Sequence, residues 1–293
     1  MKFDLLSLRL FVIVVEEGTI SAAAAREHIA VAAVSKRISE LEALFEAKLL
    51  NRTNKGVSAT PAGMSLLYMA RGMLNDASNM VAQMKVFSSG QQGIVHVLVN
   101  ISAITQFLPA LIKSFMDLHP LVEVVLEERR SLDITKAIAE NIADIGVYTR
   151  LPHSSNIEVY PFRTDELVLV VPDTHPLRDR ETINFAETLD YEYVLLRSGT
   201  HLNFQMLKAA SDAGKSLRSK MEVSNYDAMW MMVQAGIGIA ILPRGSAENY
   251  RSAHTHTLTL TEPWAHRELS ICVRSVPALS PAARLFFDYL RSH

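Results

Sequence analysis

The sequence predicts an α+β multidomain protein in which a small helical domain, one long helix and a larger α/β domain follow one another. Three observations carry this prediction. Two short helical periods lie close together near the amino terminus, within residues 19–45. Apolar residues recur with heptad spacing through residues 61–89. From residue 94 onward, short apolar runs alternate with amphipathic stretches, which is typical of a sheet covered by helices.

Composition limits the classes of function. The 293 residues suffice for two or three domains, and a chain that is 49% hydrophobic and 20% charged is expected to be globular. The net charge is −2, and residues 1–60 carry 8 Lys and Arg against 7 Asp and Glu, which excludes a generic polycationic nucleic-acid binder. The single cysteine, Cys272, excludes an internal disulfide framework, and the apolar run at 10–15 is too short to span a membrane. We therefore expect a cytoplasmic protein without a membrane partner.

The amino-terminal segment predicts three helices. The first covers roughly residues 5–17 and ends at Gly18. The second begins with four alanines, and Ser21 ahead of them is the expected N-cap. The third has an apolar face and an opposite face of small, polar and basic side chains. The apolar face carries Val34, Ile38, Leu41 and Phe45, and the opposite face carries Ala32, Lys36, Ser39 and Ala43, with Ser35 on its flank.

Two short helices joined by a tight turn are what a helix-turn-helix needs to enter a major groove, although any two-helix hairpin has one polar face. A turn at 51–56 and an extended run at 57–60 follow, and together they predict a wing. The run from Leu5 to Gly63 resembles the amino-terminal domain of LysR-type transcriptional regulators. The resemblance is carried by residues 8–18, 21–25, 33–42, 44–52 and 57–63.

This resemblance implies a winged helix-turn-helix DNA-binding domain over residues 1–60. The family usually has a polar residue and then proline at the start of the recognition helix, where this chain has Val31 and Ala32. Apolar groups there can touch thymine methyls but cannot read hydrogen-bonding patterns. The residues expected to contact DNA are Ser21, Val31, Ala32, Ser35, Lys36, Ser39, Arg52, Thr53 and Lys55.

A long helix is predicted to begin at Pro61, because proline suits the first helical position. Its apolar residues alternate steps of four and three, which is the spacing of a coiled-coil seam. The competing interpretation is a helix packed on the core of its own chain. We expect residues 61–93 to form a dimerisation helix followed by a hinge, with the seam formed by Leu66, Ala70, Met73, Ala77, Met80, Met84 and Phe87. The few positive charges of residues 1–60 also favour an oligomer, since one subunit would bind DNA weakly.

The remaining residues, 94–293, predict alternating strands and helices and hence a mainly parallel sheet. Their placement matches the effector-binding domain of the LysR type, which resembles periplasmic solute-binding proteins. Residues 233–243 (Val-Gln-Ala-Gly-Ile-Gly-Ile-Ala-Ile-Leu-Pro) are the clearest family signature in this half. The resemblance implies two subdomains, with residues 94–163 and 269–293 in subdomain I and residues 164–268 in subdomain II.

Ligands of open α/β sheets bind beyond the carboxyl ends of strands, beside helix amino termini. Hydroxyl, amide, arginine and histidine groups at such positions suit a small anion such as a carboxylate. The alternative is that these residues are ordinary helix caps. By this rule and the resemblance, the residues expected at an effector site are Asn100, Ile101, Ser102, Arg129, Arg130, Tyr148, Thr149, Ser198, Thr200, His201 and Asn225.

Signs of catalysis are weak in this sequence. Gly236 and Gly238 lie between a helix and a following strand, the reverse of the order in a dinucleotide fingerprint. His254 and His256 share one side of an extended segment, but no third ligand has suitable spacing, so a polar strand is favoured over a metal site. No nucleophile or phosphate-loop motif is found, and we expect neither an enzyme nor a cofactor.

The sequence therefore predicts a LysR-type DNA-binding transcriptional regulator controlled by a small-molecule effector. The expected partners are double-stranded DNA, the effector, further copies of the chain in a homodimer or homotetramer, and RNA polymerase. The alternative is an architectural DNA-binding protein that needs no ligand.

Overall fold

The computed structural model describes residues 4–53, 56–89, 93–151, 156–197, 199–250 and 254–293, and in residues 79, 82–83 and 85–89 it describes the backbone only. The chain divides into two compact units. The first comprises Met1–Gln91 with Glu140–Ile142, and the second comprises Gln92–Ala139 with Ala143–His293. No helix in the described ranges is long and apolar enough to cross a bilayer.

The described part of the first unit is helical apart from one hairpin. Its elements are α1 (Leu5–Glu17), α2 (Ile20–Arg26), α3 (Val31–Leu44), β1 (Leu50–Thr53), β2 (Gly56–Ala59) and α4 (Pro61–Ser89). Helix α1 ends at Gly18, whose φ of 70° suits glycine. The expected N-cap of α2 was wrong by two residues. Thr19 caps the helix by accepting a hydrogen bond from the Ala22 amide at 3.1 Å, whereas Ser21 already lies within the first helical turn.

The core of this unit joins all four helices. Val34 and Ile38 are fully buried and Leu41 is 2% exposed, as the period of α3 predicts. Phe45 does not join them, because α3 ends at Leu44 and the chain then leaves the helical path, so Phe45 is 39% exposed. Glu42 is buried instead, and its Oε1 accepts hydrogen bonds from the amides of the two residues that lead into β1, Leu49 and Leu50.

Strands β1 and β2 pair antiparallel, and Leu50 lies opposite Ala59. This hairpin follows the two helices α2 and α3, so the winged helix-turn-helix predicted from the sequence is confirmed. Helix α4 then packs on α1 through its first turns.

The predicted long helix is confirmed by α4, but the residues predicted to form its seam differ in burial. Leu66 and Ala70 are buried in the core of the chain's own first unit, so they are not available to a partner, and their assignment to the seam was wrong. Met73, Met80 and Met84 are 44%, 65% and 61% exposed. Ala77 is half-buried, and the side chain of Phe87 lies outside the described residues.

The second unit alternates strands and helices. Its elements are β3 (Gly93–Val99), α5 (Ile101–Gln106), α6 (Leu108–Leu118), β4 (Val122–Glu128), α7 (Ser131–Ala139), β5 (Ile145–Thr149), β6 (Glu158–Pro172), β7 (Thr182–Ile183), α8 (Phe185–Thr188), β8 (Glu192–Leu196), α9 (His201–Asp212), β9 (Arg218–Val223), α10 (Tyr226–Gln234), β10 (Ala240–Pro243), α11 (Arg244–Asn249), β11 (Thr255–Leu260), β12 (His266–Val273) and α12 (Pro281–Ser292). Two short 3₁₀ turns, Pro263–Ala265 and Val276–Ala278, flank β12.

The strands form a mixed sheet rather than the mainly parallel one expected. Eight strands join in the order β4-β3-β5-β12-β6-β11-β7, with β10 also paired to β6, while β8 and β9 pair separately. The β3–β4, β3–β5 and β8–β9 pairs are parallel, but β12 runs antiparallel to both β5 and β6, and β10 and β11 run antiparallel to β6. The expectation failed because sequence alternation does not reveal that β6 and β12 run against their neighbours.

Strand β6 links the two halves of this unit. Its first part pairs with β12, and its second part pairs with β10 and β11. The strand thus crosses residues 163–164, the predicted subdomain boundary, without a break. One core packs α6 and α12 on β3, β5 and β12, with Phe115 and Phe286 in edge contact. Two further clusters cover the faces of the second half.

Candidate functional site

The outer face of α3 is exposed, as a surface that enters a groove must be. Val31 is 48% exposed, Ala32, Lys36 and Ser39 are exposed, and Ser35 is half-buried. Ser39 donates its hydroxyl to the Ser35 carbonyl at 3.0 Å. Ala30 occupies the N-cap without a side-chain hydrogen bond, so the first amides of α3 receive no side-chain acceptor there.

The two adjacent cations of α3 have different environments. The Arg37 guanidinium donates to Asp4 at 2.9 Å and to Ser7 at 3.0 Å, which ties α3 to the start of α1. Hydrogen bonds from the Ser7 amide and from Arg37 lower the pKa of Asp4 to about 2. The Lys36 side chain is 79% exposed, with Glu40 at 3.9 Å. Lys36 is therefore the better placed of the two for a partner.

The structure describes three of the remaining residues expected at DNA. Ser21 is exposed on α2, and Arg52 and Thr53 are exposed on β1. Thr53 also donates its hydroxyl to the Gly56 carbonyl at 3.2 Å, across the hairpin turn. Lys55 lies outside the described residues.

A cavity of about 240 Å³ lies between the two halves of the second unit. It opens where β3, β4 and β5, which are parallel in the large sheet, and the separate parallel pair β8 and β9 end. Eight of the residues expected at an effector site line this cavity: Asn100, Ile101, Ser102, Arg129, Arg130, Thr149, Thr200 and His201. Eight further residues line it that were not among the expected ones: Glu128, Ser131, Leu196, Arg197, Leu202, Ser224, Tyr226 and Arg267.

Asn100 organises the wall formed by the first half. Its Oδ1 caps α5 by accepting from the Ala103 amide at 2.9 Å. Its amide nitrogen donates to the hydroxyls of Thr149 at 2.9 Å and Ser131 at 3.2 Å. One side chain thus fixes the ends of β3 and β5 and the start of α7.

The floor of the cavity holds a buried ion pair that the sequence did not predict. Arg267, on β12, donates through Nη2 to Asp165 on β6, and their side chains are 5% and 1% exposed. The same nitrogen lies 3.2 Å from the Ser102 hydroxyl, which is 3.1 Å from the Tyr226 hydroxyl. The Arg267 Nε is buried and has no hydrogen-bond partner among the described residues. The available signal was an arginine near the start of β12, whose later residues Leu269, Ile271, Cys272 and Val273 are apolar.

Two of the expected effector residues that the structure describes, Tyr148 and Asn225, do not line the cavity. Tyr148 is fully buried beneath α7 against Cys272, because it precedes Thr149 on β5 and successive side chains of a strand point to opposite faces. Asn225 caps α10 by accepting from the Ala228 amide at 2.8 Å, while its neighbours Ser224 and Tyr226 line the cavity. Ser198 lies outside the described residues.

The rim of the cavity is held by local ion pairs. Arg129 Nε donates to Glu127 at 2.6 Å, and Arg130 Nε donates to Asp133 at 2.7 Å. Arg130 also reaches over Gly199 in the opposite half. The φ of Gly199 is +96°, a backbone conformation that favours glycine, and a Cβ atom there would lie 2.7 Å from Nη1 at the flexible end of Arg130.

This arrangement is suited to binding. Guanidinium, hydroxyl and first-turn amide groups converge on a cavity with apolar walls at Ile101, Leu196 and Leu202. In the described ranges, no three His, Cys, Asp or Glu side chains are grouped as a metal site would require. These groups can bind a small molecule that carries an anionic group rich in hydrogen-bond acceptors.

Both the amino-terminal domain and the larger carboxy-terminal domain match known protein families. The family model "Bacterial regulatory helix-turn-helix protein, lysR family" matches residues 5–64, and the model "LysR substrate binding domain" matches residues 88–293. A curated relative, the "Uncharacterized HTH-type transcriptional regulator YbhD" of Escherichia coli (strain K12), is 27% identical over 290 residues, which is 99% of this chain and 92% of the relative.

Solved structures share the fold. Full-length CbnR complexed with its target DNA has a TM-score of 0.67 at 22% identity and covers 99% of both chains. The effector-binding domain of QuiR in complex with shikimate has a TM-score of 0.60 at 21% identity and covers 68% of this chain and 95% of that domain. Because one family model covers more than half of its length and a second covers residues 5–64, this chain belongs to the LysR family of transcriptional regulators.

Proposed function

We propose that this protein is a LysR-type DNA-binding transcriptional regulator, rather than an enzyme, and that a small anion such as a carboxylate controls its operator binding or activation. Residues 1–60 bind DNA in the cytoplasm, residues 61–93 pair two subunits, and residues 94–293 bind the effector. Arg267 carries the effector half of the proposal, because it lines the cavity and its buried Nε has no hydrogen-bond partner among the described residues.

The exposed face of α3 supports the DNA half. Ser35, Lys36 and Ser39 are placed to meet base edges or phosphates, and Arg52 on the wing to meet the backbone. Because Ala30 caps nothing, the first amides of α3 can also donate to a phosphate. The relative with a similar fold, CbnR, was solved on its target DNA.

The exposed methionines of α4 support pairing of subunits. Beside them, α1 and α4 enclose a groove of about 650 Å³ lined by Leu5, Leu6, Arg9, Leu74, Ala77, Ser78 and Val81. A second copy of α4 would cover this apolar surface and place two recognition helices about 34 Å apart, so the operator should be roughly palindromic. Two such dimers would form the tetramer that the family resemblance implies.

The cavity supports control by a ligand. It joins both halves of the second unit, so a ligand inside it can favour one arrangement of these halves over another. Its size and its convergent donors fit a small acid, and QuiR, which shares the fold, was solved with the acid shikimate. Coupling to DNA requires that the ligand bind two subunit arrangements with different affinity.

Lys36→Ala tests the DNA half. Genomic fragments captured by the purified protein identify the operator, and gel-shift titration then measures affinity. We expect the variant to bind about tenfold more weakly, with a salt dependence reduced by about one phosphate contact. Its free energy of unfolding should change by less than about 0.5 kcal/mol, because the side chain is 79% exposed.

Lys113→Ala, an exposed lysine of the second unit, is the matched control and should leave operator affinity unchanged. Equal affinity of wild type and Lys36→Ala would remove Lys36 from the DNA surface. Failure to capture any fragment at low salt would contradict the proposed function itself.

A thermal-shift screen of small carboxylates tests the effector half. A ligand present at 100 times its Kd should stabilise the protein by about 2.7 kcal/mol. Thr149→Val should weaken the response of a hit at least about tenfold, because the buried Thr149 hydroxyl orients Asn100. Thr182→Val, at an exposed position of β7, should leave the response unchanged. A broad library without a hit would favour the ligand-independent architectural alternative.

A further inference from the structure

We propose that the effector enters the cavity together with one proton, which the His201 imidazole takes up, so that His201 distinguishes anions from their uncharged analogues. This inference rests on the proposed effector site. It concerns the charge balance of the cavity, which the family resemblance does not specify.

The charges around the cavity already cancel. Three of its lining arginines are each paired with a carboxylate: Arg129 with Glu127, Arg130 with Asp133, and Arg267 with Asp165. The other two charged residues of the described lining, Arg197 and Glu128, are exposed and of opposite sign. Hydrogen-bond donors are therefore plentiful, but the formal charge of the lining and its partners is zero.

An anion that enters such a cavity lacks a compensating charge. Burying an uncompensated carboxylate costs several kcal/mol, and the partial positive charges of helix amino termini offset only part of this cost. A proton that arrives with the anion restores neutrality. The cavity therefore needs a lining group that can gain a proton near neutral pH, which among side-chain types is characteristic of histidine.

His201 is the histidine in this lining. It is the first residue of α9, directly after the Thr200 cap, and it is half-buried. Its Nδ1 is buried and has no hydrogen-bond partner among the described residues. The charged and titratable groups that line the same cavity come from β12 (Arg267), from β4 and the turn after it (Glu128, Arg129 and Arg130), from the turn after β8 (Arg197) and from α10 (Tyr226).

The surroundings of His201 disfavour its charged form. Burial, and then the nearby Arg267 charge, lower the pKa of His201 below its ordinary value of 6.5. Burial raises the pKa of Tyr226, so this phenol does not compete for the role. A bound anion acts in the opposite direction, since a neighbouring negative charge favours imidazolium. At pH values between the pKa of His201 without the anion and its pKa with the anion bound, binding takes up a proton. The affinity for the anion must therefore fall as pH rises.

Butyrate and butyramide provide a matched pair of probes, because they are similar in size and differ in charge. We expect the Kd of butyrate, obtained from thermal shifts of the full chain at constant ionic strength, to rise at least about fivefold between about pH 6 and pH 8. Uptake of one proton limits this rise to tenfold per pH unit. Sulfate should follow the same trend, and butyramide should show no dependence on pH.

His201→Gln should bind butyrate with a Kd that is constant over this range and close to the wild-type value at pH 8. His256→Gln, an exposed histidine on β11, should keep the wild-type slope. Binding of butyrate or sulfate with a pH-independent Kd in wild type would overturn the role of His201 and leave the effector cavity in place. A butyrate Kd that still rises with pH in His201→Gln would also overturn the role of His201 and leave the effector cavity in place. Binding of neither anion at pH 6 would contradict the anion cavity itself.

Discussion

Arg267→Met is expected to lower the free energy of unfolding of the effector domain by about 3–5 kcal/mol. The variant removes the cation that faces Asp165, whose side chain is 1% exposed, and leaves a carboxylate without a partner inside the domain. It also removes a donor to the Ser102 hydroxyl. Urea denaturation followed by tryptophan fluorescence reports on this domain directly, because both tryptophans, Trp230 and Trp264, lie in it.

The size of this loss should depend on Asp165 and not on lost packing alone. Arg267→Met combined with Asp165→Leu removes both charges and should recover most of the lost stability, because apolar residues of similar volume often replace a buried pair at little cost. Lys113→Met, which breaks the exposed pair with Asp117, should change stability by less than about 1 kcal/mol. A double variant as unstable as the sum of its single variants would show that the two residues act independently.

The first domain was predictable because local rules and tertiary structure agree there. The period of α3 places Val34, Ile38 and Leu41 in the core, and the same period exposes Lys36. The rule fails where the helix ends, as at Phe45. It also misses Glu42, a carboxylate that is buried because the amides of Leu49 and Leu50, just beyond the end of the helix, donate to it.

The apolar spacing along α4 does not distinguish residues that pack on the chain's own core from residues that remain exposed. Leu66 and Ala70 pack on the chain's own core, whereas Met73 and Met80 remain exposed, yet all four have the same spacing. Heptad spacing indicates that a face is apolar and does not say what covers it.

The cavity was predictable where it follows the carboxyl ends of parallel strands, as at Asn100 and Thr149. The same rule could not find Arg267 or Asp165, because they lie on the antiparallel strands β12 and β6. Only the tertiary structure brings these two strands beneath the cavity, so the buried ion pair was missed.

Met80→Lys is expected to abolish dimer formation and to weaken operator binding by at least about a hundredfold. Met80 is 65% exposed on α4, between Met73 and Met84, and pairing of two α4 helices would bury the Met80 side chain of each subunit. Two ammonium groups in one apolar seam would each be desolvated without a partner and would repel each other. A single subunit then contacts one half-site and loses the phosphate contacts of the other. Light scattering measures the mass, and gel shift on the operator measures affinity.

Met80→Leu is the matched control, because leucine keeps the apolar character and nearly the volume of methionine, so mass and operator affinity should remain those of wild type. The folded subunit should survive in Met80→Lys, since the replaced side chain is exposed in the isolated chain, and circular dichroism should therefore be unchanged. A Met80→Lys protein of unchanged mass would remove α4 from the subunit interface. A monomeric variant with wild-type operator affinity would instead separate DNA binding from dimerisation, and the palindromic operator would lose its physical reason.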